Sequence, residues 1–228
     1  MTSNPWYNFS MHRRDYKDFA KGGIYHLFNR GDNREIVFRD KQDYRAFLFR
    51  LGLAMGYSLE SLNGCEVTKS PKSRIRINGF KIDNFKLHGF CLMPNHFHLL
   101  VEQGGDISIS NLILKICTSF SKYINEKYDR VGHIFQDQFK AVRIETNAQL
   151  MLVSSYIHMN PVKDKLVNKP EDYSWSSFND FILDRNNEII TTNFLTQIFG
   201  TKDRFEKENV ELYKQKMSKV PFDILDVV

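Results

Sequence analysis

Four segments of the chain show the alternating or short continuous apolar patterns that are typical of β-strands. They cover residues 23–30, 85–93, 97–101 and 139–144. Pro94 and Asn95 separate the second segment from the third, which predicts two antiparallel strands joined by a tight turn. Because these two segments are apolar almost throughout, we expect them to be central strands of the sheet.

Between the strands, apolar residues recur at helical spacing. Helices are predicted over residues 41–54, 109–124 and 147–160. Asp40 is the expected N-cap of the first helix and Thr146 that of the third, and Pro161 is expected to end the third helix near Asn160. Hairpin-like strand pairs and uneven crossovers favour an α+β sandwich, with helices against an antiparallel or mixed sheet, over a doubly wound fold.

Composition excludes several classes of protein. The 228 residues are 42% hydrophobic and 14% aromatic, so the chain can bury a core and is not disordered as a whole. The 32 Lys and Arg against 27 Asp and Glu give a net charge of +5, which favours an anionic partner. The three cysteines have no CxxC spacing, which argues against a disulfide framework and a cysteine zinc site.

The distribution of apolar residues argues against a membrane protein. No stretch approaches the roughly 18 consecutive apolar residues of a membrane span. The first 25 residues contain no apolar run of signal-peptide length. We therefore expect a soluble protein of the cytoplasm.

A basic segment lies between the first predicted helix and the central strands. Its cationic residues are Lys69, Lys72, Arg74, Arg76, Lys81 and Lys86, against the single acid Asp83. The alternation over residues 74–77 predicts a strand with one cationic face. Such a strand would either track the phosphates of a nucleic acid or be an edge strand whose charges prevent edge pairing.

Two histidines stand two residues apart at the start of the third strand. On a strand, His96 and His98 would point to the same face, while Phe97 and Leu99 would point into the core. Side-by-side imidazoles can ligate a metal, but two strand histidines without a metal are the commoner outcome of this spacing alone. A third ligand would have to come from another segment.

The third predicted helix carries a second candidate pair. Tyr156 and Asn160 are four residues apart and would share one face of its last turn. The residues alone favour a tyrosine at the edge of the core and an asparagine cap, since buried tyrosines far outnumber nucleophilic ones. His158 is expected to be a surface or capping histidine. Tyr123 and Tyr128, on the preceding helix, are expected to pack or to face solvent.

Taken together, two motifs resemble the REP-associated tyrosine transposases, which are single-tyrosine HUH nucleases. The motifs are LHGFCLMPNHFHLL, over residues 87–100, and YIHMNPVK, over residues 156–163. Supporting matches are Tyr25-His26, Phe28-Asn29-Arg30-Gly31, Gly132, Phe135-Gln136 and Trp175-Ser176-Ser177. The resemblance spans roughly residues 20–180, and the two motifs in this order are far more specific than either one alone.

The resemblance implies a ferredoxin-like sandwich. A central antiparallel sheet would carry the HUH strand, helices would pack on it, and a C-terminal helical extension would follow. Residues 1–184 would form the transposase domain, with a basic insertion at about residues 56–84, and residues 185–228 would form the extension. The chain departs from its relatives at Asp137 and Gln138, where they commonly carry Gly and Arg.

The resemblance also implies an activity, namely a DNA endonuclease and strand transferase. Tyr156 would be the nucleophile and form a 5′-phosphotyrosine, while His96, His98 and Asn160 would hold Mg²⁺ or Mn²⁺. Lys163 and the basic segment would contact DNA.

The implied partner is single-stranded or hairpin DNA, which would place the protein at the nucleoid. No membrane partner is implied, and a homodimer stays open. Two alternatives remain, a domesticated hairpin-binding protein without turnover and an unrelated HxH metal-dependent hydrolase. The intact set of four site residues argues against the first, because binding alone does not need all of them.

Overall fold

The computed structural model describes residues 18–69, 75, 77–136, 138–183, 185 and 187–216. The strands are β1 (Ile24–Arg30), β2 (Phe85–Met93), β3 (His96–Gln103) and β4 (Lys140–Ile144). The helices are α1 (Lys41–Met55), α2 (Leu59–Asn63), α3 (Ile109–Lys127), α4 (Asn147–Lys163), α5 (Phe178–Ile182), α6 (Thr192–Phe199) and α7 (Lys202–Lys216).

The four strands form one sheet in the order β2-β3-β1-β4, with every neighbouring pair antiparallel. This order, with helices in the crossovers, is that of a ferredoxin-like sandwich, so the fold class is confirmed. β3 and β1 are the inner strands. His98 of β3 faces Phe28 of β1 on one side and Cys91 of β2 on the other, which places the HUH pair at the centre of the sheet.

Alternation along β3 separates a hydrophobic face from a functional face. Phe97 points to the layer of α1 and α3, where its ring lies 5.0 Å from that of Phe47 between ring centroids. His98 points to the other face, where α4 packs and the ring centroid of Tyr156 lies 5.5 Å away. The period of two along the strand thus places the histidines on the face of the sheet that the tyrosine helix covers.

Tyr123 and Tyr128 belong to the layer opposite Tyr156. Their hydroxyl groups donate to the buried carboxylate of Asp43 at 3.1 and 2.7 Å, and Lys127 donates to the same group at 2.7 Å. Asp43 in turn closes the capping box of Asp40 at the start of α1. These two tyrosines therefore tie α3 to α1 and lie on the far side of the sheet from the HUH pair.

The predicted end of α4 at Asn160 is wrong. The helix continues through Pro161 to Lys163, where Asp164 is the C-cap. A proline in the last turn forfeits only one backbone hydrogen bond, and the N–H of Asp164 still reaches the carbonyl of Asn160 at 3.0 Å. The extra turn brings Lys163 and Asp164 to the same end of the helix as Asn160.

The predicted strand over residues 74–77 is also wrong where the structure describes it. Ile75 and Ile77 lie in irregular backbone and pack, partly buried, against the hydrophobic core. The N–H of Phe80 bonds the carbonyl of Ala54 at 2.9 Å, so this segment closes the end of α1 and adds no strand. The other predicted DNA contacts in the run, Lys72, Arg74 and Arg76, lie outside the described residues.

The C-terminal helices pack on the tyrosine helix. α7 lies along α4, and Ser155 donates to the carbonyl of Asn209 at 2.5 Å. His158 is fully buried, with its ring against Phe178 and Phe205. The expectation of a surface or capping histidine is therefore wrong, because α5 and α7 cover that face of α4.

His158 predicts a specific loss of stability in acid. Burial lowers its pKa from 6.5 to about 4, so the unfolded chain binds a proton there that the folded chain excludes. Stability from this site is present above pH 6.5 and is lost as the pH falls towards 4, by roughly 2–3 kcal/mol between pH 7 and 4.5. Urea unfolding at the two pH values should show this loss in the wild type and a correspondingly smaller one in His158→Gln. An equal loss in both proteins would contradict the assignment, and His133→Gln, at an exposed histidine, is the control.

Candidate active site

His96 and His98 stand side by side on the face of β3 that α4 covers. Their ring centroids are 4.8 Å apart, and the two rings are perpendicular. His98 is buried, whereas His96 is partly exposed. Both line a cavity of about 170 Å³. The two imidazoles can therefore act together on a group bound in that cavity.

The cavity lies between β1, β3 and the end of α4. Its lining residues are Phe28, Asn29, Arg30, His96, His98, Asn160, Lys163 and Asp164. The structure thus brings the three predicted metal ligands together around one space. Their role as ligands stays a prediction.

The hydrogen bond of His96 selects its tautomer. Its Nδ1 lies 2.7 Å from Oδ1 of Asn95. A carbonyl oxygen only accepts, so in this arrangement Nδ1 carries the proton and Nε2 carries the lone pair of the neutral ring. This is the tautomer that leaves Nε2 able to ligate a cation.

His98 presents an unusual buried nitrogen. Its Nδ1 lies 3.0 Å from Nε2 of His26, while its own Nε2 is buried without a hydrogen-bond partner among the described residues. Burial, followed by the nearby charges of His96, His26, Lys163 and Arg30, holds the pKa of His98 well below its usual value. His98 is therefore neutral at physiological pH, as metal ligation requires.

The donor set fits a hard divalent cation. Two imidazole nitrogens and an amide oxygen, beside the carboxylate of Asp164, match the mixed nitrogen and oxygen ligands that Mn²⁺ and Mg²⁺ accept. The amide nitrogen of Asn160 donates to the Tyr156 carbonyl at 3.1 Å, so its oxygen is the atom that can coordinate. Over the part of the chain that the structure describes, no three His, Cys, Asp or Glu side chains form a metal site, so this site depends on the amide.

Tyr156 lies beside the histidines and is buried. It is 1% exposed and does not line the cavity. Its ring meets those of His98 and His26 edge-on, at centroid distances of 5.5 and 6.0 Å, and Nζ of Lys163 lies 5.4 Å from its ring centroid. The predicted nucleophile is therefore next to the candidate metal ligands, in a conformation that covers it.

The predicted DNA contacts occupy different places. Lys163 lines the cavity. Lys69 and Lys81 are exposed on the surface, whereas Lys86 bonds the carboxylate of Glu102 at 2.9 Å, which offsets its charge. Of the predicted cations that the structure describes, only Lys163 lines the candidate site.

The sequence predicts no site role for two charged residues that line the cavity, Arg30 and Asp164. Arg30 belongs to the Phe-Asn-Arg-Gly match near the start of the chain, and Asp164 directly follows the tyrosine motif. Both signals were present in the sequence. Their position at the site depends on the β1–β3 register and on the extra turn of α4.

Known proteins are similar to this chain over a span that includes the HUH pair and the start of the tyrosine motif. Residues 62–160 match the family model of IS200-like transposases, a span that contains the HUH pair, Tyr156 and Asn160. No protein of curated function matches the chain significantly in sequence. None of the described helices is long and apolar enough to cross a membrane.

A solved structure shares the fold. It is a REP-associated tyrosine transposase bound to a REP hairpin, and it superposes with a TM-score of 0.53 over 76% of this chain and 86% of that chain, at 19% sequence identity. At this identity the likeness establishes the common fold. Together with the family match, it confirms the resemblance inferred from the motifs.

Proposed function

We propose that this chain, a relative of the IS200-like and REP-associated tyrosine transposases, is a metal-dependent DNA nuclease and strand transferase with Tyr156 as its nucleophile. One observation carries the proposal. The tyrosine packs edge-on against His98, whose buried Nε2 has no hydrogen-bond partner among the described residues. That histidine shares a cavity with His96 and Asn160. A purely structural core would not require this combination of a buried tyrosine, two histidines and an asparagine around one cavity.

His96, His98 and Asn160 would hold Mg²⁺ or Mn²⁺ in this proposal. When bound, the cation would polarise the scissile phosphodiester and offset the negative charge that develops on its oxygens. His98 contributes a neutral ring held in place by burial, and Asn160 contributes an oxygen from the helix that also carries the tyrosine. Ligand and nucleophile are thus fixed on one rigid element, one helical turn apart.

Tyr156 would act directly on the DNA strand. Its Oη gives up its proton and forms a bond to phosphorus while the bond from phosphorus to the 3′ oxygen breaks. That oxygen takes up one proton and leaves as a 3′-OH, so the step neither consumes nor releases protons overall. The downstream strand stays attached to Tyr156 through its 5′ phosphate. Attack by another 3′-OH reverses the step and rejoins DNA without ATP. Because the tyrosine is buried in this conformation, substrate binding must uncover its hydroxyl.

Two cations are placed to receive the phosphate backbone. Arg30 and Lys163 flank the cavity from β1 and α4, and Nε of Arg30 is buried without a partner among the described residues. An unpaired guanidinium nitrogen at a cavity wall suits an anionic oxygen. Lys69 and Lys81, on the exposed surface, add long-range attraction for DNA.

The substrate we propose is single-stranded or hairpin DNA. A relative with the same fold is bound to a REP hairpin, which supports a hairpin as the first substrate to test. Extruded or unpaired DNA would expose a phosphodiester to a cavity as small as this one. The enzyme would then act at the nucleoid.

The proposal is tested with hairpin and linear oligonucleotides labelled at either the 5′ or the 3′ end, incubated with Mn²⁺, Mg²⁺ or EDTA. We expect metal-dependent cleavage in which the 3′ label becomes attached to the protein and the 5′-labelled fragment is released with a free 3′-OH. Cleavage that attaches neither label to the protein would instead indicate a hydrolytic HxH enzyme. Tight hairpin binding without cleavage across the panel would indicate a DNA-binding protein that has lost turnover.

A further inference from the structure

We infer that His26 is a positioning residue that accepts a hydrogen bond from Nδ1 of His98 and so directs the lone pair of His98 Nε2 into the cavity. In the sequence His26 lies in an apolar strand segment, which on its own favours a structural histidine over a ligand. The inference rests on the proposed function for its purpose, since a fixed lone pair matters only if His98 ligates a cation. The hydrogen bond and the tautomer themselves can be measured without any metal.

The contact between the two rings is close and enclosed. Nε2 of His26 lies 3.0 Å from Nδ1 of His98, and both residues are at most 1% exposed. The centroids of the two histidine rings are 5.1 Å apart, and the ring of Phe28 stacks on that of His26 at a centroid distance of 5.0 Å. Because both rings are packed between the sheet and Tyr156 of α4, neither can turn away without opening the core.

One proton decides what His98 offers the cavity. When Nδ1 of His98 donates to His26, Nε2 of His98 keeps its lone pair. When Nε2 of His26 donates instead, the proton of neutral His98 lies on the Nε2 of His98, which then cannot ligate a cation. The tautomer of His98 is therefore set by the direction of this single hydrogen bond.

The charges around the cavity select the first arrangement. Arg30, Lys163 and Asp164 line the same cavity as His98, so its charged side chains leave one net positive charge. A lone pair directed towards a net positive charge is favourable, whereas an N–H directed towards it is repelled. The protein therefore presents the ligating tautomer before any metal arrives.

His96 shows the same arrangement with a different partner. Its Nδ1 is engaged by Asn95 at 2.7 Å, as that of His98 is by His26. Both imidazoles of the HUH pair are thus held through Nδ1 by side chains of this chain. Outer partners of this kind orient a ligand and commonly change metal affinity by 10- to 100-fold.

The first test measures the tautomer in the metal-free protein. Histidine labelled with ¹⁵N allows long-range NMR correlations to report which nitrogen of each ring is protonated, and the seven histidines keep the spectrum simple. We expect the proton of His98 on Nδ1 in the wild type. A proton on Nε2 of His98 would overturn the inference, whatever the enzyme does.

The second test compares two replacements of His26. His26→Gln keeps a side-chain acceptor, whereas His26→Leu fills the space without one. Titration of Mn²⁺ by electron paramagnetic resonance should give an affinity 10- to 100-fold weaker in His26→Leu and within about threefold of wild type in His26→Gln. Wild-type affinity in His26→Leu would overturn the inference.

The matched control is His133→Leu, which removes an exposed histidine and should leave Mn²⁺ affinity unchanged. If His26→Leu fails to fold, the tautomer measurement together with His26→Gln still decides the inference. Absence of Mn²⁺ binding by the wild type would contradict the metal site of the proposed function. The NMR result would then still confirm or overturn the role of His26 on its own.

Discussion

Replacing Tyr156 with phenylalanine should lower the rate of hairpin cleavage by at least about 10⁴-fold, because the change removes the atom that attacks phosphorus. The substitution keeps the aromatic ring, which makes the buried contacts with His98 and His26. We therefore expect the variant to fold and to bind hairpin DNA within about threefold of wild type. Single-turnover cleavage and gel-shift titration on the same oligonucleotide measure the two effects separately.

Tyr128→Phe is the matched control for this prediction. It also removes one tyrosine hydroxyl group, but that group donates to Asp43 at 2.7 Å in the layer on the other face of the sheet. Its cleavage rate should stay within a few fold of wild type, although its stability should fall slightly. Cleavage by Tyr156→Phe at the wild-type rate would exclude Tyr156 as the nucleophile.

Replacing His98 with leucine should abolish both Mn²⁺ binding and cleavage. Leucine fills most of the buried volume but offers no lone pair to the cavity, where Nε2 of His98 otherwise lies without a partner among the described residues. The loss of Mn²⁺ affinity should exceed the roughly 100-fold upper figure for outer partners such as His26. Titration calorimetry with Mn²⁺ and the labelled-strand assay provide the two measurements.

Removal of metal provides the complementary result. EDTA should stop cleavage by the wild type, and added Mn²⁺ or Mg²⁺ should restore it, whereas no metal concentration should rescue His98→Leu. His133→Leu, at an exposed histidine, should behave like wild type. Cleavage by His98→Leu with unchanged metal dependence would show that the HUH pair does not hold the cation.

Local signals in the sequence were sufficient for most of the fold. Hydrophobic periodicity locates the four strands and the helices α1, α3 and α4 to within about two residues at most ends, and Asp40 and Thr146 are N-caps with complete capping boxes. These features depend on neighbouring residues only, which is why a sequence can reveal them. The end of α4 was wrong because the rule for proline describes a helix interior better than a last turn.

Tertiary packing decided the features that local signals missed. The Arg and Ile alternation over residues 74–77 resembles a strand, yet the described segment after it bonds the end of α1. His158 is polar and lies in a helix, but α5 and α7 bury it completely. In both cases the outcome depends on which distant element covers the segment, and no residue within the segment reports that.

The sequence predicts the main residues of the candidate site but not the contacts that hold them in place. The spacing of the HUH pair predicts that His96 and His98 share one face, and the structure shows this. The bond between His26 and His98, by contrast, joins two strands that are far apart in sequence. Arg30 likewise reaches the cavity only through the register of β1 against β3.

The most direct test of the account is mass spectrometry of the protein after reaction with a hairpin substrate and Mn²⁺. We predict that the mass of the protein increases by that of the 3′ fragment of the cleaved strand, joined through its 5′ phosphate. After proteolysis, the modification should lie on Tyr156. The adduct should be absent from Tyr156→Phe and from samples with EDTA. Metal-dependent cleavage with unmodified protein, or an adduct on any other residue, would contradict Tyr156 as the nucleophile.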